Sequence, residues 1–299
     1  MDIVGYNFNN YYCSIQTIQK ICLLRGIKVK KAMIPAILIL GAFLSILPFL
    51  WMFITSLKSG NYSLAISFDT LFDGLNFQNY KIIWEKIPLI TYTKNSIIIS
   101  ILTIVGTVFS SSFVAYAFSI LEWKYRDKIF LFIIFTMMIP LQVTMIPVFV
   151  IYKQLGWLNS FKPLIVPAFL GGGAFNIFLF RQFFLNVPRE IIDAAKMDGL
   201  NHFQIYYTIV LPMAKSIVAT VSIITFMFTW NDFMGPLIYL SDKLKGTLAL
   251  GIMLFVGQNQ TEWGQVMAIS ILMIAPVILI FILFQKYFIS GLMFGGSKK

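Results

Sequence analysis

Six stretches of about twenty residues run almost free of charge through this chain, at 33–57, 95–118, 128–152, 161–183, 214–240 and 264–288. An apolar run of that length is what a helix needs to cross the ~30 Å hydrocarbon layer of a bilayer. Helices are the required form, because in lipid each backbone N–H and C=O must find its partner inside the protein. Composition agrees. Of 299 residues 59% are hydrophobic and the mean hydropathy is +0.83, against the ~45–50% apolar content of soluble domains. The expected fold is an all-α integral membrane protein with six transmembrane helices.

The net charge of +11 could suit nucleic acid, but its placement points to topology instead. Fifteen of the 23 Lys and Arg fall in the first 32 residues, the 124–128 connection, the loop between the fourth and fifth spans with its flanks, and the tail. The positive-inside rule makes these segments cytoplasmic. Both termini are therefore expected inside, in a plasma (inner) membrane protein that meets lipid and no nucleic acid, with 59–94 and 241–263 outside. Residues 1–32 read as a cytoplasmic arm with a possible interfacial helix at 14–24, residues 33–289 as the transmembrane domain, and 290–299 as a cytoplasmic tail. Cys13 and Cys22 lie in the arm, where a reducing compartment and a spacing unlike a metal site make them free thiols. The first apolar run begins too late and is too long for a cleavable signal peptide.

Several residues interrupt the spans. Pro140 and Pro147 should kink the third, with Gln142 and Thr144 nearby. Gly171, Gly172 and Gly173 in the fourth either permit tight packing or loosen the helix, and packing is the commoner reason. Ser110, Ser111 and Ser112 in the second favour close helix contact. Asp232 is the one acidic residue inside any expected span. Eighteen residues at ~1.5 Å each from Ala214 put it about 27 Å along, near the outer boundary. There a carboxylate can cap a backbone break, a better fit than a midplane ion site.

The longest polar interruption of the second half is the loop 187–212. Pro188 suits a helix start, Gly199 a left-handed stop, and Asn201 with Gln204 a capping box that begins a second helix; Pro212 should end it. On a 3.6-residue wheel Ile191, Ile192, Ala194 and Ala195 share one arc, while Glu190, Asp193, Lys196 and Met197 share the other. The pattern Glu190, Asp193-Ala194-Ala195, Asp198-Gly199 and Leu211-Pro212 resembles the cytoplasmic coupling loop of ABC importer permeases, usually Glu-Ala-Ala, three residues, Gly. Asp193 replaces the usual Glu and keeps its carboxylate. Thr55-Ser56-Leu57-Lys58, Asn79-Tyr80, Asn95-Ser96, Ala115-Tyr116-Ala117, Met138-Ile139-Pro140, Trp230-Asn231-Asp232-Phe233, Pro236-Leu237 and Gly291-Leu292 resemble the carbohydrate-uptake branch of these permeases, in particular the shorter, maltose-permease type of its paired subunits.

That resemblance implies a non-catalytic permease subunit of an ATP-driven importer for a sugar or oligosaccharide, working by alternating access. It implies as partners a second permease, two ATPase subunits and an external substrate-binding protein. Glu190, Asp193, Ala194, Ala195, Asp198 and Gly199 would couple to the ATPase. No cofactor is expected on this chain: it has no phosphate-binding Gly-x-x-x-x-Gly-Lys-Ser/Thr loop, so ATP and Mg belong to the partner ATPase. No His, Cys and carboxylate cluster has metal-ligand spacing, and no catalytic triad is evident. His202, the single histidine, reads as a loop surface residue. Gln142, Thr144, Asn176 and Asn231 are the candidate substrate path, or else glue between helices. Glycerol phosphate or another polar solute is the alternative cargo. An ion-coupled secondary transporter is the alternative class, but it would place ionisable groups near the midplane, often on inverted repeats, and neither is seen. A membrane scaffold would leave the coupling-loop pattern unexplained.

Overall fold

Proline and glycine decide which of these apolar runs stay straight. The computed structural model describes residues 33–58, 74–257 and 261–293. The arm with its expected 14–24 helix and both cysteines, much of the 59–94 loop and the end of the tail lie outside them. By internal contacts the chain forms two units, Met1–Ile54 and Thr55–Lys299. The described part of the first belongs to helix α1, Met33–Ser56. Residues 37 to 50 are exposed on every face of it, as befits a helix apolar all round and made for lipid or another protein.

The first helix wholly within the second unit is α2, Gln78–Lys86, in the loop expected to be external. Then comes α3, Leu89–Ser119, 31 residues long. It starts six residues before the apolar run does, because Pro88 occupies its N-cap and Tyr92 and Asn95 are buried. At ~1.5 Å per residue it is about 46 Å long, more than the hydrocarbon layer requires. The third span is broken outright. Its halves α4, Arg126–Thr136, and α5, Leu141–Gln154, meet at 95°. Pro140 stands between them in an extended conformation, whereas Pro147 sits inside α5 without ending it. The residue before a proline is pushed out of the helical region, and that turns the expected kink into a break.

The fourth span also breaks. It runs as α6, Lys162–Ile165, then a 3₁₀ turn, Val166–Phe169, then the three glycines, then α7, Ala174–Phe184. All three glycines have positive φ, at 113°, 65° and 87°. Both expected roles are present, at different positions. Around Gly171 no atom lies within 4 Å of a would-be Cβ, so glycine serves the turn; at Gly172 a Cβ would stand 2.7 Å from Thr107 O and 3.0 Å from Ser110 Oγ, so glycine also serves the packing. Carbonyls around this break are met by side chains. Thr103 donates to Leu164 O at 3.2 Å, Ser110 to Ala168 O at 2.6 Å and the Asn176 amide to Gly172 O at 2.7 Å.

After α8 (Arg189–Met197), α9 (His202–Ile205) and α10 (Leu211–Met213), the fifth span is α11, Lys215–Trp230. It stops short of the expected 240 at Asn231, and α12, Met234–Tyr239, follows. Asp232 accepts the Gly235 N–H at 3.0 Å, so the carboxylate caps a backbone break as expected. A short α13, Leu248–Gly251, precedes α14, Trp263–Met293. Among the described residues four stretches are long and apolar enough to cross a bilayer as they stand, and counting each of two bent pairs as one span brings the number to six. Among the described residues there is no β-strand, only two isolated bridges.

Helix α3 is the spine: α7 and α11 pack along it, and α14 packs on α11 and α2. One apolar core joins the C-terminal half of α3 to α7, α8 and the start of α11 through Tyr116, Phe180, Phe184, Tyr206 and Val221. A second surrounds Trp230, whose indole N–H reaches Met273 O at 2.9 Å, in the turn of α14 that Pro276 deprives of a donor.

Gly156 and Gly172 share nearly the same φ, +66° and +65°, but only Gly172 has neighbours within 4 Å. Gly172→Ala should therefore cost about 1–3 kcal/mol more than Gly156→Ala, the range for overpacking a closed site. Thermal unfolding of the two variants in detergent measures the difference; equal losses would mean that the close approach to α3 contributes nothing.

Candidate functional site

The loop between α7 and α11 folds by local rules. Pro188, at φ −57°, precedes α8, where its missing N–H is harmless. The helix ends in a Schellman motif. Leu200 N–H donates to Ala195 O and Gly199 N–H to Lys196 O, both at 3.0 Å, with Gly199 at φ +84°. A Cβ on Gly199 would meet nothing within 4 Å, so glycine is needed there for its backbone alone. Asn201 and Gln204 form the expected capping box: each side-chain oxygen accepts the other's N–H, at 2.9 and 2.8 Å. Pro212 does not end this second helix. The chain passes through a π turn, Tyr206–Val210, and α10 before bending 79° at the break near Ala214. Pro212 lies in the first turn of α10, where a proline is tolerated, and the wider turn before it accommodates the missing donor.

The arcs of α8 need correcting. Ile192 and Ala195 are 4% exposed and belong to the core around Phe184 and Tyr206. Ile191 and Ala194 point outward instead, and Met197 is 89% exposed together with the rest of the polar arc to which it was assigned. Residues three apart share a face, so 192 and 195 make one line and 191, 194 and 197 the next. The outward face carries a small residue, Ala194, between Ile191 and Met197, with Glu190, Asp193 and Asp198 also exposed. Asp193 pairs with Lys196 at 3.7 Å. Phe203 and Tyr207 on the following helix are 62% and 65% exposed. Sequence reasoning did not single them out; their four-residue spacing on one helix face was the available signal.

This helix–turn–helix is seated on the end of α3. The buried Tyr206 hydroxyl lies 2.9 Å from Ser112 Oγ, and the Tyr116 hydroxyl lies 3.3 Å from Nδ1 of His202. His202 is thus an exposed loop residue, as expected, but a partnered one. Arg189 at the start of α8 donates to Glu122, in the turn after α3, at 2.6 Å. Arg181, one turn from the end of α7, donates to Phe118 O at 3.0 Å and to Asp127 at 2.7 Å, with its guanidinium 4.1 Å from the Phe130 ring. Three elements meet at that single side chain. The hydrogen bond from Arg189 and its charge hold the Glu122 carboxyl below the usual carboxylate range.

A cavity of about 840 Å³ lies at the other end of α11, among α5, α6, α12 and the break at 231–233. Of the four candidate path residues it brings together Thr144 and Asn231. Gln142 and Asn176 do not line it: Gln142 is on an exposed face of α5, and the Asn176 amide is committed to Gly172 O. Asn231 gives its own amide to Met227 O at 2.8 Å, closing the end of α11. Among the described residues the lining includes Asp232 and no Lys, Arg or His.

A helical membrane protein whose spans break around a cavity, with a helix–turn–helix seated at the other end, has the parts of a solute permease. Comparison with known proteins narrows the class. The arabinooligosaccharides transport system permease protein AraQ of Bacillus subtilis is 33% identical over 262 residues, covering 86% of this chain and 92% of AraQ. The sn-glycerol-3-phosphate transport system permease protein UgpE of Salmonella typhi is 34% identical over 232 residues, covering 75% and 82%. A crystal structure of a bacterial ABC transporter involved in the import of the acidic polysaccharide alginate contains a chain that superimposes with a TM-score of 0.70 at 25% identity, covering 86% of this chain and 96% of that one. The chain belongs to the family of binding-protein-dependent transport system inner membrane components, matched over residues 111–293. It is a permease of an ABC importer, and its relatives are membrane permease subunits of such systems.

Two outcomes follow from the loop's geometry. Asn201→Ala should cost about 1 kcal/mol, the usual value of an N-cap, and Asn201→Asp should cost little; amide exchange across 202–205 reads both. A carboxyl lowered in the folded state contributes stability that is present above its unfolded value and lost as pH falls through the folded one. Acidification below the usual carboxylate range should therefore speed exchange at the start of α8 in the wild type. Glu122→Gln should show the faster exchange already at neutral pH.

Proposed function

We propose that this permease carries a sugar or oligosaccharide inward by alternating access, driven by ATP bound with Mg on separate ATPase subunits. It pairs with a second permease and receives cargo from an external binding protein, with both its termini in the cytoplasm. In this reading Glu190, Asp193, Ala194, Ala195, Asp198 and Gly199 form the coupling element. Ala194 and its exposed neighbours enter a cleft on the ATPase, Ala195 holds α8 to its own core, and Gly199 sets the angle of the turn. The observation that carries the reading is the outward face of α8 on a firmly seated helix–turn–helix: an exposed small residue flanked by Ile191 and Met197 has no use to this chain alone. Thr144 and Asn231 stand as path residues at the cavity, with Gln142 and Asn176 outside it.

The cavity lining suits a neutral solute, since a carboxylate without a cation disfavours an anion. A phosphorylated polyol is the second reading, favoured by the resemblance to UgpE. The ligand bound by the cognate external binding protein separates the two.

Substitution of Ala194 by Phe leaves the core untouched, because the side chain faces outward, and should detach or uncouple the ATPase. Gly199→Val adds a backbone penalty of roughly 1–2 kcal/mol and re-aims α8, with the same result. Asp193→Glu should be nearly silent. The assays are co-purification of the ATPase and ATP-driven uptake by reconstituted vesicles. Uptake driven by an ion gradient without ATP, or normal coupling in Ala194→Phe, would refute the proposal.

A further inference from the structure

An open groove of about 850 Å³ runs between α3, α11 and α14 and begins at the end of α11 next to the helix–turn–helix. Its walls are apolar: Val108 on α3, Val218 and Phe226 on α11, and Ile280 and Phe284 on α14. Apart from Ser222, whose hydroxyl donates to Val218 O, its polar residues stand at one end. There Lys215, an exposed residue, and the 65% exposed Tyr207 are part of the lining. No Asp or Glu is among the described residues that line it.

The groove's length is informative. From Lys215 to Phe226 is eleven residues of one helix, about 16 Å at ~1.5 Å per residue, close to half of a ~30 Å hydrocarbon layer. A slot one leaflet deep, apolar along its walls and cationic at its rim, matches a lipid chain with its headgroup at the interface. A lysine there can extend toward the headgroup layer while its stem stays on apolar surface. A basic side chain at the mouth of a crevice between spans is also a recognised way to hold an anionic lipid. A helix from a neighbouring subunit would cover the same walls but leave the ammonium without a counter-charge unless it brought a carboxylate. The phosphate of an anionic lipid supplies that charge itself.

We infer that this groove is a binding site for an anionic glycerophospholipid of the leaflet on the α8 side, with an acyl chain between α3, α11 and α14 and the phosphate at Lys215 and Tyr207. The inference stands apart from the cargo and from the coupling role of α8. It concerns what holds the start of α11, the point where the helix–turn–helix passes its position to a membrane span.

The test is native mass spectrometry of the permease purified in its assembled complex, titrated with phosphatidylglycerol or with phosphatidylcholine of the same chains. The wild type should retain phosphatidylglycerol preferentially. Lys215→Gln should weaken that retention about fivefold, the effect of one cation near an anionic headgroup, and Lys215→Arg should keep it. Ser222→Trp, placing bulk on a groove-lining position, should block both lipids. A photo-crosslinking residue at Val218 should capture lipid. Equal retention of the two lipids, retention unchanged in Lys215→Gln, or capture of a neighbouring polypeptide at Val218 would each overturn the inference.

Discussion

A backbone carbonyl left without a donor in hydrocarbon costs several kcal/mol, yet this chain interrupts its third, fourth and fifth spans. The structure depends on how those interruptions are met. At the fourth, Thr103, Ser110 and Asn176 donate to Leu164 O, Ala168 O and Gly172 O; two of the three donors come from α3. At the fifth, Asn231 and Asp232 serve the two sides of the break, one donating to Met227 O and the other accepting from Gly235 N–H. Breaks satisfied in this way are stable features. They allow segments to turn away from a common axis and leave a cavity at 231–239 where continuous helices would have filled the space.

The same long helix supports the other end. Ser112 and Tyr116 on α3 meet Tyr206 and His202, and the Phe118 carbonyl accepts from Arg181. The helix–turn–helix is therefore joined to the segment that also satisfies the broken fourth span. Movement imposed on α8 has a continuous path of packed side chains through Tyr206 and Phe184 to α7 and α11. Coupling between sites requires an element with two arrangements that both sites bias; here a firmly seated loop and a set of broken spans are the pieces from which one can be built.

Much of this was legible in the sequence where the determinant is local. Charge-free runs placed the spans, Gly199 marked a left-handed stop, and Asn201 with Gln204 marked a capping box, because each depends on residues within a few positions. What failed to show depends on distant neighbours. Whether Gly171–Gly173 pack or bend could not be decided without Thr107 O above Gly172. Arg181 counted only as a topological charge, since its partners Phe118 and Asp127 are 63 and 54 residues away. Ile191 and Ala194 were assigned to the apolar arc but are exposed, because a wheel gives angles between side chains and says nothing of where the core lies. Asn176 read either as a path residue or as glue between helices, and its bond to Gly172 O becomes visible only with the break at the three glycines.

The central claim is that the helix–turn–helix is a rigid extension of the membrane domain, able to transmit displacement. The direct measurement is the distance between spin labels at Met197→Cys on α8 and Lys128→Cys on α4, with Cys13 and Cys22 replaced, in the assembled importer. The account predicts a narrow distance distribution that is the same with and without ATP. A broad distribution, or one that shifts when ATP binds, would show a loop that moves independently of its spans and would contradict the account.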